Sequence, residues 1–254
     1  IIQERAEKQC MYTLTLKRTE DVADGTRLFV FNRPTDFVYK AGQYCAVKLP
    51  HLIETDPKGP ARSLSIASAP QDEELCFAMR SGDSGFKKTC WQLKPGDTVE
   101  ATKAVGFFTE PEDNDRPIVF LVGGIGITPA LSILKEADKR GSTREYTLFY
   151  ANRYEKDATF HEELQQLTQS LSHFRYVTVL SKSEAPAAAE NDERGYITRT
   201  MLEKYLSDIP SRLYYMVGSG EFIDAMEAIL ASFGVMKEQC FKDPFTGLRK
   251  PAAK

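Results

Sequence analysis

No cysteine in this chain stands in a C-x2-C pair or a C-x4-C-x2-C run; Cys10, Cys45, Cys76, Cys90 and Cys240 lie at long intervals. That spacing argues against an iron–sulfur cluster held within this chain and leaves the cysteines as buried packing residues or inert thiols. Histidine is scarcer still: His51, His161 and His173 include no pair at i, i+4, so a zinc site has no ligand set. Long apolar runs are missing too, since Ile118-Val119-Phe120-Leu121-Val122 is far short of the roughly 20 residues a membrane helix needs. The amino-terminal residues lack the charged-then-apolar order of a secretory signal. These absences predict a soluble, cytoplasmic protein. Nor does one charge dominate: 33 basic and 36 acidic residues are intermixed for a net charge of −3, with no basic stripe, which argues against nucleic acid as a partner.

What is present is 254 residues at 42% hydrophobic content, enough for two modest cores. In the first half, short apolar or alternating runs cover Cys10 to Lys17, Arg27 to Asn32, Tyr44 to Leu49, Ser63 to Ser68, Glu74 to Arg80 and Thr98 to Ala101. Turn residues such as Asp24-Gly25, Ala41-Gly42, Lys58-Gly59-Pro60 and Pro95-Gly96-Asp97 separate them, the pattern of a closed antiparallel barrel. The texture changes at Glu110-Pro111-Glu112-Asp113-Asn114-Asp115-Arg116-Pro117, a charged stretch bracketed by prolines that reads as a domain boundary. The expected domains are therefore 1–112 and 113–254.

Beyond the boundary, strands alternate with helices. Ile118 to Val122 suits a strand buried on both faces, and Pro129 to Arg140 has helical spacing at Ala130, Ile133, Leu134 and Ala137. Three more units follow: Thr147 to Ala151 with Phe160 to Leu171, Tyr176 to Leu180 with Thr198 to Leu206, and Tyr214 to Val217 with Phe222 to Phe233. The fold class is thus a β barrel plus α/β, the second part a parallel sheet with crossover helices. Ala185 to Asp192 reads as a flexible surface loop.

Two motifs carry chemistry. Arg62-Ser63-Leu64-Ser65 lies on a barrel strand, where a forked guanidinium can hold two phosphate oxygens and a serine hydroxyl can reach a ring nitrogen such as flavin N5. An ordinary barrel strand with one exposed arginine looks the same. Gly123-Gly124-Ile125-Gly126-Ile127-Thr128-Pro129 follows a buried strand; its glycines let backbone pass close to a ligand, Thr128 can cap, and Pro129 suits the first helical position. A tight βα turn would also use such glycines.

Together with their surroundings these motifs resemble the ferredoxin–NADP reductase superfamily from about Tyr12 to Phe245, in the family's order. The resemblance implies an antiparallel flavin-binding barrel followed by a parallel-sheet nucleotide-binding domain, with FAD and NADP(H) or NAD(H) as cofactors. In the family's Arg-x-Tyr-Ser element, Arg62 would hold the pyrophosphate and Ser65 would bond flavin N5, with Ser63 beside them and Leu64 replacing the aromatic. Phe37 to Tyr44 resembles the aromatic, basic, Ala-Gly-Gln entry to the preceding strand.

The family's Gly-x-x-Ser/Thr element ahead of Leu93-Lys94-Pro95-Gly96-Asp97 corresponds to Gly85-Phe86-Lys87-Lys88-Thr89. Gly85 would let amides approach a phosphate, Lys87 stands roughly where the hydroxyl belongs, and Thr89 is the alternative hydroxyl; a lysine-rich solvated turn is the plain reading. Gly124, Gly126, Thr128 and Pro129 match the family's Gly-Gly-x-Gly-x-x-Pro nicotinamide-nucleotide signature. No acid follows Tyr150-Ala151-Asn152 directly, and Arg153 with Ser181 and Lys182 leans towards NADPH. Gly218 matches the Cys-Gly-x-Pro element beside the nicotinamide, whereas Val217 and Gly220 replace its cysteine and proline. Asp243 and Phe245 resemble the family's terminal Glu-x-Phe/Tyr pair at the flavin edge, with a tail from Thr246 to Lys254 beyond it.

By resemblance the activity is ping-pong hydride transfer from NAD(P)H to flavin, then electron delivery to ferredoxin or flavodoxin. Ser65 and Asp243 would serve at the reacting edge. The alternatives are an oxygenase reductase component, a free-flavin or ferric reductase, and a non-catalytic flavoprotein subunit.

Overall fold

The computed structural model describes residues 11–183, 187 and 190–245. Six strands form the first half: β1 (Tyr12–Ala23), β2 (Thr26–Asn32), β3 (Tyr44–Lys48), β4 (Ala61–Ser65), β5 (Glu74–Arg80) and β6 (Thr98–Ala101). They pair antiparallel in the order β4-β3-β6-β1-β2-β5. β1 serves two neighbours, pairing β6 through Tyr12 to Thr15 and β2 from Leu16 onward, with register shifts between Leu16 and Arg18 and between Asp21 and Ala23. Bulges of this kind bend a strand and raise its twist, as closure of a small barrel requires. A bridge between Ile66 and Phe77, with Ala67 N–H donating to Cys76 O at 2.8 Å, joins the two edges just past β4.

Helix α1 (Gly85–Gln92) follows β5 and buries Phe86, Thr89 and Cys90. Ser84 caps it, its Oγ accepting from Lys87 N–H at 3.3 Å. The sequence suggests only a turn here, because eight residues with two lysines carry little helical periodicity.

The second half is a parallel sheet of β7 (Ile118–Gly123), β8 (Tyr146–Asn152), β9 (Phe174–Leu180), β10 (Asp192–Arg194), β11 (Leu213–Gly218) and β12 (Cys240–Pro244). Its order is β10-β9-β8-β7-β11-β12, so the strand order reverses at β7, the position at which open α/β sheets form a ligand crevice. Helices α2 (Ile127–Lys139), α3 (His161–Ser170), α4 (Arg199–Tyr205) and α5 (Gly220–Ala231) make the crossovers. The four expected strand–helix units are present. Two short strands were not expected: β10 pairs with β9 at the end of the stretch read as a loop, and β12 lies in the terminal motif. Residues 185, 186, 188 and 189 of that loop, Cys10 and the tail from 246 to 254 lie outside the described residues.

The halves share one apolar core in which Ala41, Ala67, Ala78 and Phe108 pack with Ile127, Leu131 and Tyr215 of the α/β part. Ser132 Oγ on α2 donates to Ser68 O at 2.6 Å, and Lys139 pairs with Asp72 at 2.8 Å. The proline-bracketed segment is pinned rather than loose. Glu110, 6% exposed, accepts from Arg144 at 2.6 Å, Arg140 at 2.6 Å and Tyr146 Oη at 2.8 Å. Through Ser68 and Asp72, the segment after β4 is tied to α2. Among the described residues no helix is long and apolar enough to cross a membrane.

Candidate functional site

A cavity of about 700 Å³ opens at the seam between the halves, within the usual range for small-molecule sites, roughly 300–1,000 Å³. Its walls come from β4, the end of β5, α1, the loop after β7 and the segment ending at Phe245. Of the sequence-derived candidates, Arg62, Ser63, Leu64, Ser65, Phe86, Lys87, Thr128, Asp243 and Phe245 line it. A larger cleft, about 970 Å³, lies between β1 and α3. Carboxylates such as Glu20, Glu73 and Glu163 crowd that cleft and none of the motif residues reaches it, so the seam cavity is where the chemistry converges.

At one end β4 and β12 bring two polar groups together. Register pairing of Val217 with Asp243 carries Asp243 to the carboxyl edge of the sheet, where Ser65 Oγ donates to its Oδ2 at 3.4 Å. Burial pushes the Asp243 carboxyl above its ordinary value, and the Ser65 hydrogen bond pulls the other way. Leu64, half-buried, leans on the barrel core while lining the cavity. Phe245 N–H donates to Gly218 O at 2.9 Å, fixing the segment that carries its ring.

The other end is cationic. Lys58, Arg62, Arg80 and Lys87 line it. Arg62 Nη1 donates to the carbonyls of Gly59 at 2.9 Å and Ala61 at 2.7 Å, and the guanidinium sits 5.1 Å from the Phe86 ring centroid. Its Nη2 pairs with Asp56 Oδ2 at 2.6 Å. Asp56 also accepts from Phe86 N–H at 3.0 Å and Lys58 N–H at 2.9 Å. Sequence reasoning missed Asp56, although Asp56-Pro57-Lys58-Gly59 has a β-turn signature and Gly59 N–H returns to Asp56 O at 2.9 Å.

Those donors, led by the Phe86 amide, hold the Asp56 carboxyl at about 2, below its ordinary 3.8. A carboxylate depressed by folding stabilises the native state above its unfolded pKa and loses that contribution as pH falls through its folded one. Urea melts of the protein should therefore lose stability between pH 4 and 2, and Asp56→Asn should flatten the profile in that window; parallel profiles would refute the assignment.

Several expected contacts are made differently. Thr89 is not a ligand hydroxyl: its Oγ1 donates to Gly85 O at 2.7 Å and accepts from Ile53 N–H at 3.1 Å, because buried hydroxyls take the nearest backbone partners. Gly85 is small for packing, since a Cβ there would meet Glu54 O at 2.3 Å. Thr128 and Pro129 fall at the second and third positions of α2, which Gly126 caps without a side chain; Thr128 Oγ1 turns back to Ile125 O at 3.4 Å. A three-residue 3-10 turn, Gly124–Gly126, takes up the extra chain. Gly126 passes against β11, where a Cβ would lie 2.9 Å from Val217 Cγ1 and 3.1 Å from Val217 O.

Arg153, Ser181 and Lys182 come together at the adjoining ends of β8 and β9, outside the cavity walls. Ser181 N–H donates to Asn152 O at 3.0 Å and Lys182 N–H to Arg153 O at 2.9 Å. An acid does reach this edge: Glu155 accepts from Ser183 Oγ at 2.5 Å and lies 3.9 Å from Arg194. It comes from a 3-10 turn three residues beyond β8, too far along the chain for a reading of the strand end to find.

Residues 120–228 match the model of the oxidoreductase NAD-binding domain. Over 93% of this chain and 99% of the other, the fold superposes with TM-score 0.78 and 21% identity on a ferredoxin NADP+ reductase from Neisseria gonorrhoeae with bound FAD and NADP. The chain has the ferredoxin–NADP reductase-like fold. Among curated relatives, the reductase component of propane 2-monooxygenase from Rhodococcus jostii is 30% identical over 84% of this chain and 57% of its own length. The ferredoxin reductase component of 3-ketosteroid-9-alpha-monooxygenase from Rhodococcus rhodochrous is 31% identical over 90% of this chain and 63% of its own. The chain thus spans about 60% of the length of these relatives.

Val217, where the resemblance leads one to expect a cysteine, closes against Gly126. Gly220 opens α5, which Ser219 caps by accepting from Phe222 N–H at 3.2 Å. That cap needs no proline.

Proposed function

We propose that this protein is a flavin-dependent NAD(P)H oxidoreductase, with FAD in the seam cavity and the nicotinamide nucleotide entering over the loop from Gly124 to Pro129. The observation that carries the reading is the meeting of Ser65 and Asp243, 3.4 Å apart, with Thr128 of the glycine loop in one cavity. The donor set suits a flavin. Ser65 offers a hydroxyl to a ring nitrogen, Leu64 and Phe245 offer apolar walls, and Lys58, Arg62, Arg80 and Lys87 offer charge to phosphates at the far end.

When bound, the flavin supplies the hydride-accepting ring that a nicotinamide can reduce. The chain's own part is positional. Ser65 and the half-buried Asp243 orient the ring edge, the open turn at Gly124 leaves room for a dinucleotide to approach, and the walls exclude water.

The acceptor is a redox protein, ferredoxin or flavodoxin-like, and its acidic surface would be steered by basic residues. The names of the curated relatives favour a second reading, the reductase component of an oxygenase. Electron delivery that slows with salt supports a protein acceptor; salt-independent reduction of free flavin or ferric chelates supports a diffusible one.

Anaerobic titration with each nicotinamide tests the reading: NADPH, and NADH less readily, bleaches the flavin absorbance, and a protein that holds no flavin or does not bleach refutes it. Arg153 and Lys182 favour NADPH, and Glu155 beside them opposes a 2′-phosphate. Glu155→Gln should raise the NADPH-to-NADH ratio of kcat/KM by about threefold or more. An unchanged ratio would place the 2′-phosphate elsewhere.

A further inference from the structure

Both terminal nitrogens of Arg62 are engaged inside the chain. One nitrogen meets two carbonyls at 2.9 and 2.7 Å, with a third, Lys58 O, at 3.2 Å, and the other meets Asp56 at 2.6 Å. The Asp56 side chain is 2% exposed, stands behind the cavity wall, and draws the Phe86 amide of α1 to the same oxygen as the guanidinium. Those are the donors a phosphate would use at a helix amino terminus. We infer that Asp56 is an internal counter-anion of the phosphate end: it cancels Arg62, withdraws the Phe86 amide, and leaves Lys87 as the principal phosphate cation, since Lys58 is exposed and Arg80 pairs with Asp157 at 3.6 Å, so that flavin is held less tightly than the cradle permits. The inference rests on the flavin reading above and deepens it.

Lys87 has the setting this role requires. It is half-buried in the cavity wall, its Nζ reaches only Ser81 O at 3.5 Å, and among the described residues no carboxylate lies within ion-pair distance. Burial lowers its ammonium, and the charges of Arg80 and Arg62 lower it further, with Asp83 opposing. A cation placed so is relieved by an arriving anion. Asp56, by contrast, already has three donors and adds negative charge next to any phosphate. An asparagine has nearly the same shape and lacks the charge; its single oxygen can accept from Arg62 and the Phe86 amide as Asp56 Oδ2 does, while the bond from Lys58 N–H is given up.

The test compares FAD with riboflavin, which has the same ring and no phosphate, by quenching of flavin fluorescence at low ionic strength on the whole chain. Asp56→Asn should lower the Kd for FAD at least about fivefold, and Lys87→Gln should raise it by a similar factor. Both should leave riboflavin within about twofold. The inference is overturned if Asp56→Asn weakens FAD or leaves it unchanged, if FAD and riboflavin shift by one factor, or if Lys87→Gln has no effect on FAD. The lysine variant decides the matter should the aspartate variant not fold. A wild-type protein that takes up neither flavin sinks the flavin reading as well, whereas tight FAD binding with unmoved variants sinks this inference alone.

Discussion

Arg62→Ala should strip the protein of flavin and lower its thermal stability together. Removing the guanidinium leaves Asp56, 2% exposed, with two backbone amides and no counter-charge. Breaking a buried pair in this way costs about 3–5 kcal/mol, and the 21% exposure of Arg62 puts the effect towards the lower end. Flavin release follows from the stranded carboxylate, whose charge then stands uncompensated beside the phosphates. Arg62→Ala with Asp56→Asn separates the two effects: the double variant, which removes the buried charge and keeps an acceptor for one of the two amides, should recover part of the melting temperature. Thermal melts with and without added FAD measure both quantities, and a single variant that melts with the wild type would mean that Asp56 and Arg62 do not depend on each other.

Glu110→Ala should unfold the seam. The carboxylate, 6% exposed, is shared by Arg144, also 6% exposed, by Arg140 and by the Tyr146 hydroxyl. Its loss leaves the Arg144 guanidinium only the exposed Asp115 carboxylate at 3.7 Å as counter-charge, and Arg144 also donates to Arg116 O at 2.8 Å and Pro111 O at 3.3 Å and so holds the connecting segment. A cost of about 3–5 kcal/mol corresponds to a fall in Tm of roughly 10 °C in a chain of this size. Glu110→Gln, which keeps a hydrogen-bond acceptor, should fall between the two. A midpoint within about 1 °C of wild type would show that the segment is held by its apolar contacts instead.

The strands and helices that follow hydrophobic periodicity were legible in the sequence, because Ile118 to Val122 and the stripe from Ala130 to Ala137 state their burial directly. The meeting of Ser65 with Asp243 in one cavity was legible for a related reason: both sit in motifs with recognisable neighbours. The cationic end of the cavity was not. Asp56, Arg62 and the Phe86 amide meet across a turn and a helix start, and the sequence fixes no distance between them. Thr89 looked available only because its partners, Ile53 and Gly85, are brought to it by packing. Glu155 escaped for the same reason, reaching Ser183 from beyond the strand end. Short strands such as β10, held by register with β9 rather than by their own pattern, belong to the same class.

The central claim is that the seam cavity holds a flavin with its reacting edge at Ser65. A crystal structure of the protein grown with FAD tests it most directly. The account predicts the isoalloxazine ring between Leu64 and Phe245, N5 within hydrogen-bond reach of Ser65 Oγ, and the phosphates beside Lys87. A ring in the cleft between β1 and α3, or a seam that excludes FAD, would contradict it.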